Sequence, residues 1–198
     1  MATPIDAPRL ITAGHGEDGR SRRARVQTLP EIDYMSEYGR ESGGLIQIWR
    51  VWAGDKLPFL LPTDGLAPQI EPAPHPDEAI DVLRRTSAMA PEQGFRATYV
   101  KFNPRPKGAT ASPDDYGGWH WHDSAEIVIM VSGELVVELE DGIRTPMRPG
   151  DVLLQPGVNH RWDNQSDQPA HVVYIVFGGR RVGGEPPAAH GSYNRAKG

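Results

Sequence analysis

No cysteine occurs in the 198 residues, which excludes disulfides, thiolate nucleophiles and sulfur-ligated metals. An excess of positive charge is missing too: 21 Lys and Arg face 26 Asp and Glu, a formal net charge of −5. Nucleic-acid binding usually shows as a basic stripe, and the one basic cluster, Arg20 to Arg25, reads as a solvated face. No apolar run approaches the roughly 20 residues needed to span a bilayer. Met1 to Leu10 has no basic segment followed by an apolar stretch, so no secretory leader is expected and a cytoplasmic location is. Neither nucleic acid nor a membrane is an expected partner.

Turn formers are plentiful. With 22 Gly and 19 Pro, about a fifth of the chain suits many short strands joined by tight turns. Residues 1–95 read as an N-terminal extension packed on a barrel. It holds two edge strands, Arg9 to Ala13 and Arg23 to Thr28, around a Gly-rich turn, and a third strand from Leu45 to Trp52. A proline-punctuated covering loop follows, then one peripheral helix, Asp77 to Ala90, with Ile80, Val82 and Leu83 on its apolar side. Residues 96–178 read as the body of the fold, a β-sandwich or barrel, and residues 179–198 as a flexible tail. Within the barrel, Phe95 to Phe102 is a strand, Asn103 to Gly118 a loop, and Asp141-Gly142 a hairpin turn. Asp151 to Gln155 reads as a buried strand and His171 to Phe177 as the last strand, with His171 exposed at its start. No internal repeat is visible, and the expected class is all-β.

The chemistry concentrates in Trp119-His120-Trp121-His122-Asp123-Ser124-Ala125-Glu126. Strand side chains alternate, so His120, His122 and Glu126 share one face if a strand runs through without a bulge. A carboxylate entering the apolar run Ile127 to Val131 needs a counter-charge or a metal to offset desolvation. A second signal, Gly150 to His160, gives a turn, a short apolar strand, another turn and one more histidine. Three imidazoles and a carboxylate make a ligand set for one divalent transition ion: Fe, Mn, Ni, Zn, Co or Cu. Met130 shares the ligands' parity and Trp162 follows His160 by two, so both are candidates for the substrate pocket as well as for the core.

These residues resemble the two motifs of the cupin superfamily. The first is His120-x-His122, three residues, Glu126, six residues, Gly133; the second is Gly150, five residues, Pro156-Gly157, two residues, His160, three residues, Asn164. Sixteen residues separate Gly133 from Gly150, close to the spacing of small bacterial single-domain cupins. Two positions depart from the pattern: Asp114 stands where the family has a glycine, and Pro156 and Gly157 are adjacent rather than one residue apart. The resemblance implies a jelly-roll β-barrel with His120, His122, Glu126 and His160 holding the metal.

Four protein ligands leave positions open on an octahedral ion, which permits catalysis on a small molecule with oxygen donors. By family analogy the reading leans to a dioxygenase-type oxidoreductase. The alternatives are a non-redox lyase, isomerase or decarboxylase, and a non-catalytic small-molecule-binding cupin. No catalytic residue beyond the metal ligands stands out. Exposed strand edges and the tail lead to an expected homodimer.

Overall fold

The computed structural model describes residues 7–15, 21–29, 31–32, 44–55 and 90–182. Residues 77–89 of the expected helix, the proline-punctuated loop before it, and residues 183–198 of the expected tail lie outside these. The described residues form eleven strands and two 3-10 turns, so the all-β class holds.

Strands β1 (Arg9–His15) and β2 (Ser21–Thr28) pair antiparallel as a sheet of their own, with Ile11 opposite Val26. A six-stranded antiparallel sheet follows. It contains β3 (Glu31–Ile32), β4 (Ile46–Gly54), β5 (Phe95–Phe102), β6 (Ser124–Ser132), β9 (Val152–Pro156) and β11 (Ala170–Gly178), in the spatial order β3-β4-β5-β11-β6-β9. The third sheet holds β7 (Leu135–Leu139), β8 (Arg144–Met147) and β10 (His160–Asp163), with β7 in the middle.

The two larger sheets meet through alternate side chains. Val100 and Phe102 of β5, Val128 and Met130 of β6, and Ala170 and Val172 of β11 face Leu135, Val137, Met147 and Trp162 of the smaller sheet. Burying each large apolar side chain of this set is worth roughly 1.5–3 kcal/mol, which is what binds the layers. Glu126 sits in the same inward row as Val128 and Met130, because residues two apart on a strand face one way. Parity thus carries a carboxyl into the barrel.

The turn after β6 depends on Gly133. Its φ is +78°, and a Cβ there would lie 2.5 Å from the Pro169 carbonyl oxygen, so a side chain has no room. Asp141 and Gly142 both take positive φ, 63° and 73°, and reverse the chain between β7 and β8.

Three expectations need correction. Residues 119–123 are not a strand: only His120 forms an isolated bridge, to His160, and the ladder of β6 begins at Ser124. The expected buried strand Asp151 to Gln155 is the edge strand β9, whose outward residues Val152 and Leu154 are 63% and 65% exposed. Only its inward residues face the barrel, since nothing among the described strands covers its outer side. His171 is buried rather than exposed. A register shift between His171 and Val172 changes the facing at the strand start, and Ser132 Oγ lies 2.7 Å from its Nδ1. Burial, then the nearby Lys101 charge, lowers the His171 pKa.

Candidate metal centre

The strand-borne half of the site follows from register. Glu126 of β6 stands directly opposite Gln155 of β9, and both side chains point inward and are buried. Ser124 Oγ donates to Glu126 Oε1 at 3.1 Å, and the Gln155 amide donates to Oε2 at 3.3 Å. His160 opens β10 with its ring fully buried. Trp162, two residues on, meets that ring edge-on at 5.7 Å. It walls His160 while belonging to the apolar core, and Met130 lies in the same core.

The loop-borne half is placed otherwise. His120 and His160 exchange both main-chain hydrogen bonds, at 2.9 and 3.0 Å, which brings their rings to 4.3 Å. His122 stands 5.4 Å from His120, ring to ring. The alternating tryptophans are capped by arginines: Arg161 lies 5.5 Å over Trp119, and Arg181 4.9 Å over Trp121. Arg181 also donates to Asp123 at 2.9 Å and to the Gly157 carbonyl at 3.0 Å, tying the loop to the end of β9. Further back, Arg105 bridges Asp115 at 2.6 Å and Asp163 at 2.5 Å, and Asp163 takes a second arginine, Arg144, at 2.7 Å. Burial alone would raise the Asp163 pKa, but hydrogen bonds from Arg105 and Gln165 hold it below the usual value.

Main-chain carbonyls fix the tautomers of two imidazoles. Nδ1–H of His120 donates to Gly118 O at 2.9 Å, and Nδ1–H of His160 to Val158 O at 3.0 Å. In the neutral form each ring then carries its lone pair on Nε2, the arrangement in which histidine ligates a metal. Burial, followed by repulsion from His120, lowers the His122 pKa to about 3 although part of its surface remains accessible. The same two causes push His160 well below its ordinary value, so both rings are neutral at pH 7. Burial raises the Glu126 pKa to about 7, only partly opposed by the Ser124 hydroxyl. Among the described residues Glu126 has no cationic partner.

The three histidines therefore form one ring cluster, while Glu126 reaches it through Gln155. The Gln155 amide nitrogen lies 2.9 Å from His160 Nε2 and 3.0 Å from Nδ1. As the side chains stand, no three His, Asp or Glu among the described residues are grouped closely enough to hold an ion. The donor chemistry, three imidazoles and a buried carboxyl that has no counter-charge among the described residues, fits a divalent transition ion. Between Glu126 and His160 stands one amide.

Gln155 was not among the expected site residues, although its signal was readable. It is the only polar side chain of inward parity in β9, directly before the Pro156-Gly157 turn. Gly157 also carries a constraint: its φ is +58°, and a Cβ there would approach the His122 carbonyl oxygen at 3.2 Å. A cavity of about 260 Å³ opens beside these turns, bounded by Ser124, Ala125, Pro156, Gly157, Arg180 and Arg181. None of the four expected ligands lines it. No helix among the described residues is long and apolar enough to cross a membrane.

A cupin-domain family model matches residues 109–176, the stretch that holds both motifs. A curated relative, oryzines biosynthesis cluster protein J of Aspergillus oryzae, is 37% identical over 65 residues, which is 32% of this chain and 36% of that protein. The matched region thus spans about a third of the relative's length. Among solved structures, a putative ethanolamine utilization protein Q from Salmonella typhimurium is similar over 88% of this chain and 98% of its own, at 12% identity and a TM-score of 0.41. A cupin 2 conserved barrel domain protein from Salinispora arenicola covers 67% of this chain and 75% of its own, with 20% identity and a TM-score of 0.37. The cupin domain of an XRE family transcriptional regulator from Enterobacter cloacae is 25% identical over 43% of this chain and 83% of its own, with a TM-score of 0.33. With both motifs inside the stretch that the family model matches, residues 109–176 make up a cupin domain.

Proposed function

We propose that this cupin is a metal-dependent enzyme acting on a small, oxygen-rich organic molecule, with His120, His122, Glu126 and His160 as the ligands of one divalent transition ion. The observation that supports this best is the pair of imidazoles, His120 and His160, whose Nδ1–H groups are spent on main-chain carbonyls. Beside them stand a third ring, His122, and a buried carboxyl that has no cationic partner among the described residues.

A divalent ion bound there supplies a Lewis acid for enol, carboxylate or diketone oxygens and, if it is iron, a centre for dioxygen. The chain's own residues do the rest. The Gly118 and Val158 carbonyls accept from Nδ1 of two rings, so it is Nε2 of each that would meet the ion. Glu126 must give up the proton that burial favours, and Ser124 Oγ then stabilises the carboxylate. Trp162 keeps water from the inner side of His160. Within this reading the dioxygenase-type oxidoreductase comes first, ahead of a non-redox lyase, isomerase or decarboxylase. The remaining alternative is a non-catalytic small-molecule-binding cupin.

The test is aerobic turnover of the protein loaded with iron or with manganese, using diketones and catechols. Oxygen uptake with the iron form alone supports the oxidoreductase reading. Turnover without oxygen uptake moves it to the non-redox class, and binding without turnover to the binding module. The proposal extends to a homodimer through the exposed apolar edge strand β9, checked by sedimentation of the wild type against Leu154→Lys.

A further inference from the structure

Resting on the metal reading, we propose that Gln155 competes with the ion: its side-chain amide fills the gap between Glu126 and His160 and must swing away before an ion can take both. The placement is dictated by register, since Gln155 is the cross-strand partner of Glu126 and is 2% exposed. Its Nε2 lies 3.3 Å from Glu126 Oε2 and 2.9 Å from His160 Nε2. These two atoms are the ones an ion would use, because Val158 has already taken the Nδ1 hydrogen of His160. An amide nitrogen carries two hydrogens, so one group can serve both acceptors as a neutral substitute for a cation.

The substitute is poorly held. Its contact with Glu126 is long for a hydrogen bond, and its near-equal distances to the two ring nitrogens of His160 put it off the axis of the Nε2 lone pair. Its carbonyl oxygen is buried and has no hydrogen-bond partner among the described residues. A side chain with three rotatable torsions and one unsatisfied end gives way at modest cost. Gln155 thus sets the threshold for loading without itself being a ligand.

Gln155→Met removes the amide and keeps the unbranched shape. Metal-free full-length wild type, Gln155→Met and His160→Ala are titrated with Zn²⁺ and Mn²⁺ against a chromophoric chelator. The expected result is roughly 10- to 100-fold tighter binding by Gln155→Met, the usual range for releasing hydrogen bonds to such groups. Binding by Gln155→Met where wild type takes up nothing supports the proposal equally. Unchanged affinity would overturn it. Weaker binding would overturn it as well, by making the Gln155 carbonyl a ligand. If wild type and Gln155→Met bind alike while His160→Ala loses the ion, the metal reading survives and this proposal fails; if none binds, both fail. Should Gln155→Met not fold, the side-chain amide protons of Gln155 in wild type are followed by NMR as Zn²⁺ is added. They are expected to shift and exchange faster, and unmoved signals would overturn the proposal.

Discussion

The two halves of the site are held by different physics. Glu126, Gln155 and His160 stand on ladder positions, where main-chain hydrogen bonds set the register and alternation sets the facing. His120 and His122 stand on an irregular stretch, placed by one bridge to His160 and by arginines stacked on Trp119 and Trp121. A strand positions a ligand through the whole sheet, so no single side chain is decisive. A loop positions one through a few polar contacts, each of which can be removed. The strand half should therefore fail only when a ligand is replaced, and the loop half when its supports are.

The largest effect is expected from the strand half. His160→Ala should lower metal affinity by at least about 100-fold while the far-ultraviolet circular dichroism keeps its β signature, because the ring's removal leaves the ladder to β7 intact. Retained affinity would separate His160 from the ligand set.

Next in size is a pH effect from Glu126. Its folded pKa, about 7, lies above the ordinary value of 4.5. Below the lower value the carboxyl is protonated folded or unfolded. Between the two, the folded state holds a proton that the unfolded state has released, so stability falls as pH rises and the loss is complete above the folded pKa. His122 works the other way, its folded pKa of about 3 making stability fall as pH drops from 6.5. In urea unfolding of metal-free protein, wild type relative to Glu126→Gln should lose on the order of 3 kcal/mol between pH 4 and pH 8. A pH-independent difference would show that Glu126 is not buried as described.

Smaller still is Arg105→Met, which leaves Asp115 without its arginine and Asp163 with Arg144 alone. For these partly exposed pairs the expected loss is about 1–2 kcal/mol. Hydrogen exchange should quicken across residues 103–118 and stay unchanged in β6 and β9. Uniform quickening of both halves would erase the distinction between them. The smallest change is expected from Arg181→Ala, which removes the stacking on Trp121 and the bond to Gly157. About 0.5–1 kcal/mol of local support goes with it, and metal affinity should fall only a few-fold.

The same contrast governs what the sequence disclosed. Alternation was enough to put Glu126 and Met130 on one face and to find the strands β5 and β6. It could not show that residues 119–123 leave the ladder. The outward tryptophans and inward histidines keep strand-like parity, but arginine stacking rather than sheet pairing enforces it. The exposure of Val152 and Leu154 was hidden because an edge strand and a central strand share one apolar pattern. His171 was misjudged because a register shift is not written in the residue types. Gln155 was missed because the metal motif drew attention to its acids and imidazoles, while a glutamine's role depends on which residue the ladder sets opposite.

The central claim is that His120, His122, Glu126 and His160 hold one divalent ion. Elemental analysis of the untagged protein, purified without a chelator and compared with His160→Ala, tests it most directly. Near one equivalent in wild type and little in the variant is the predicted result. No metal in wild type after reconstitution, or equal metal in both proteins, would contradict it.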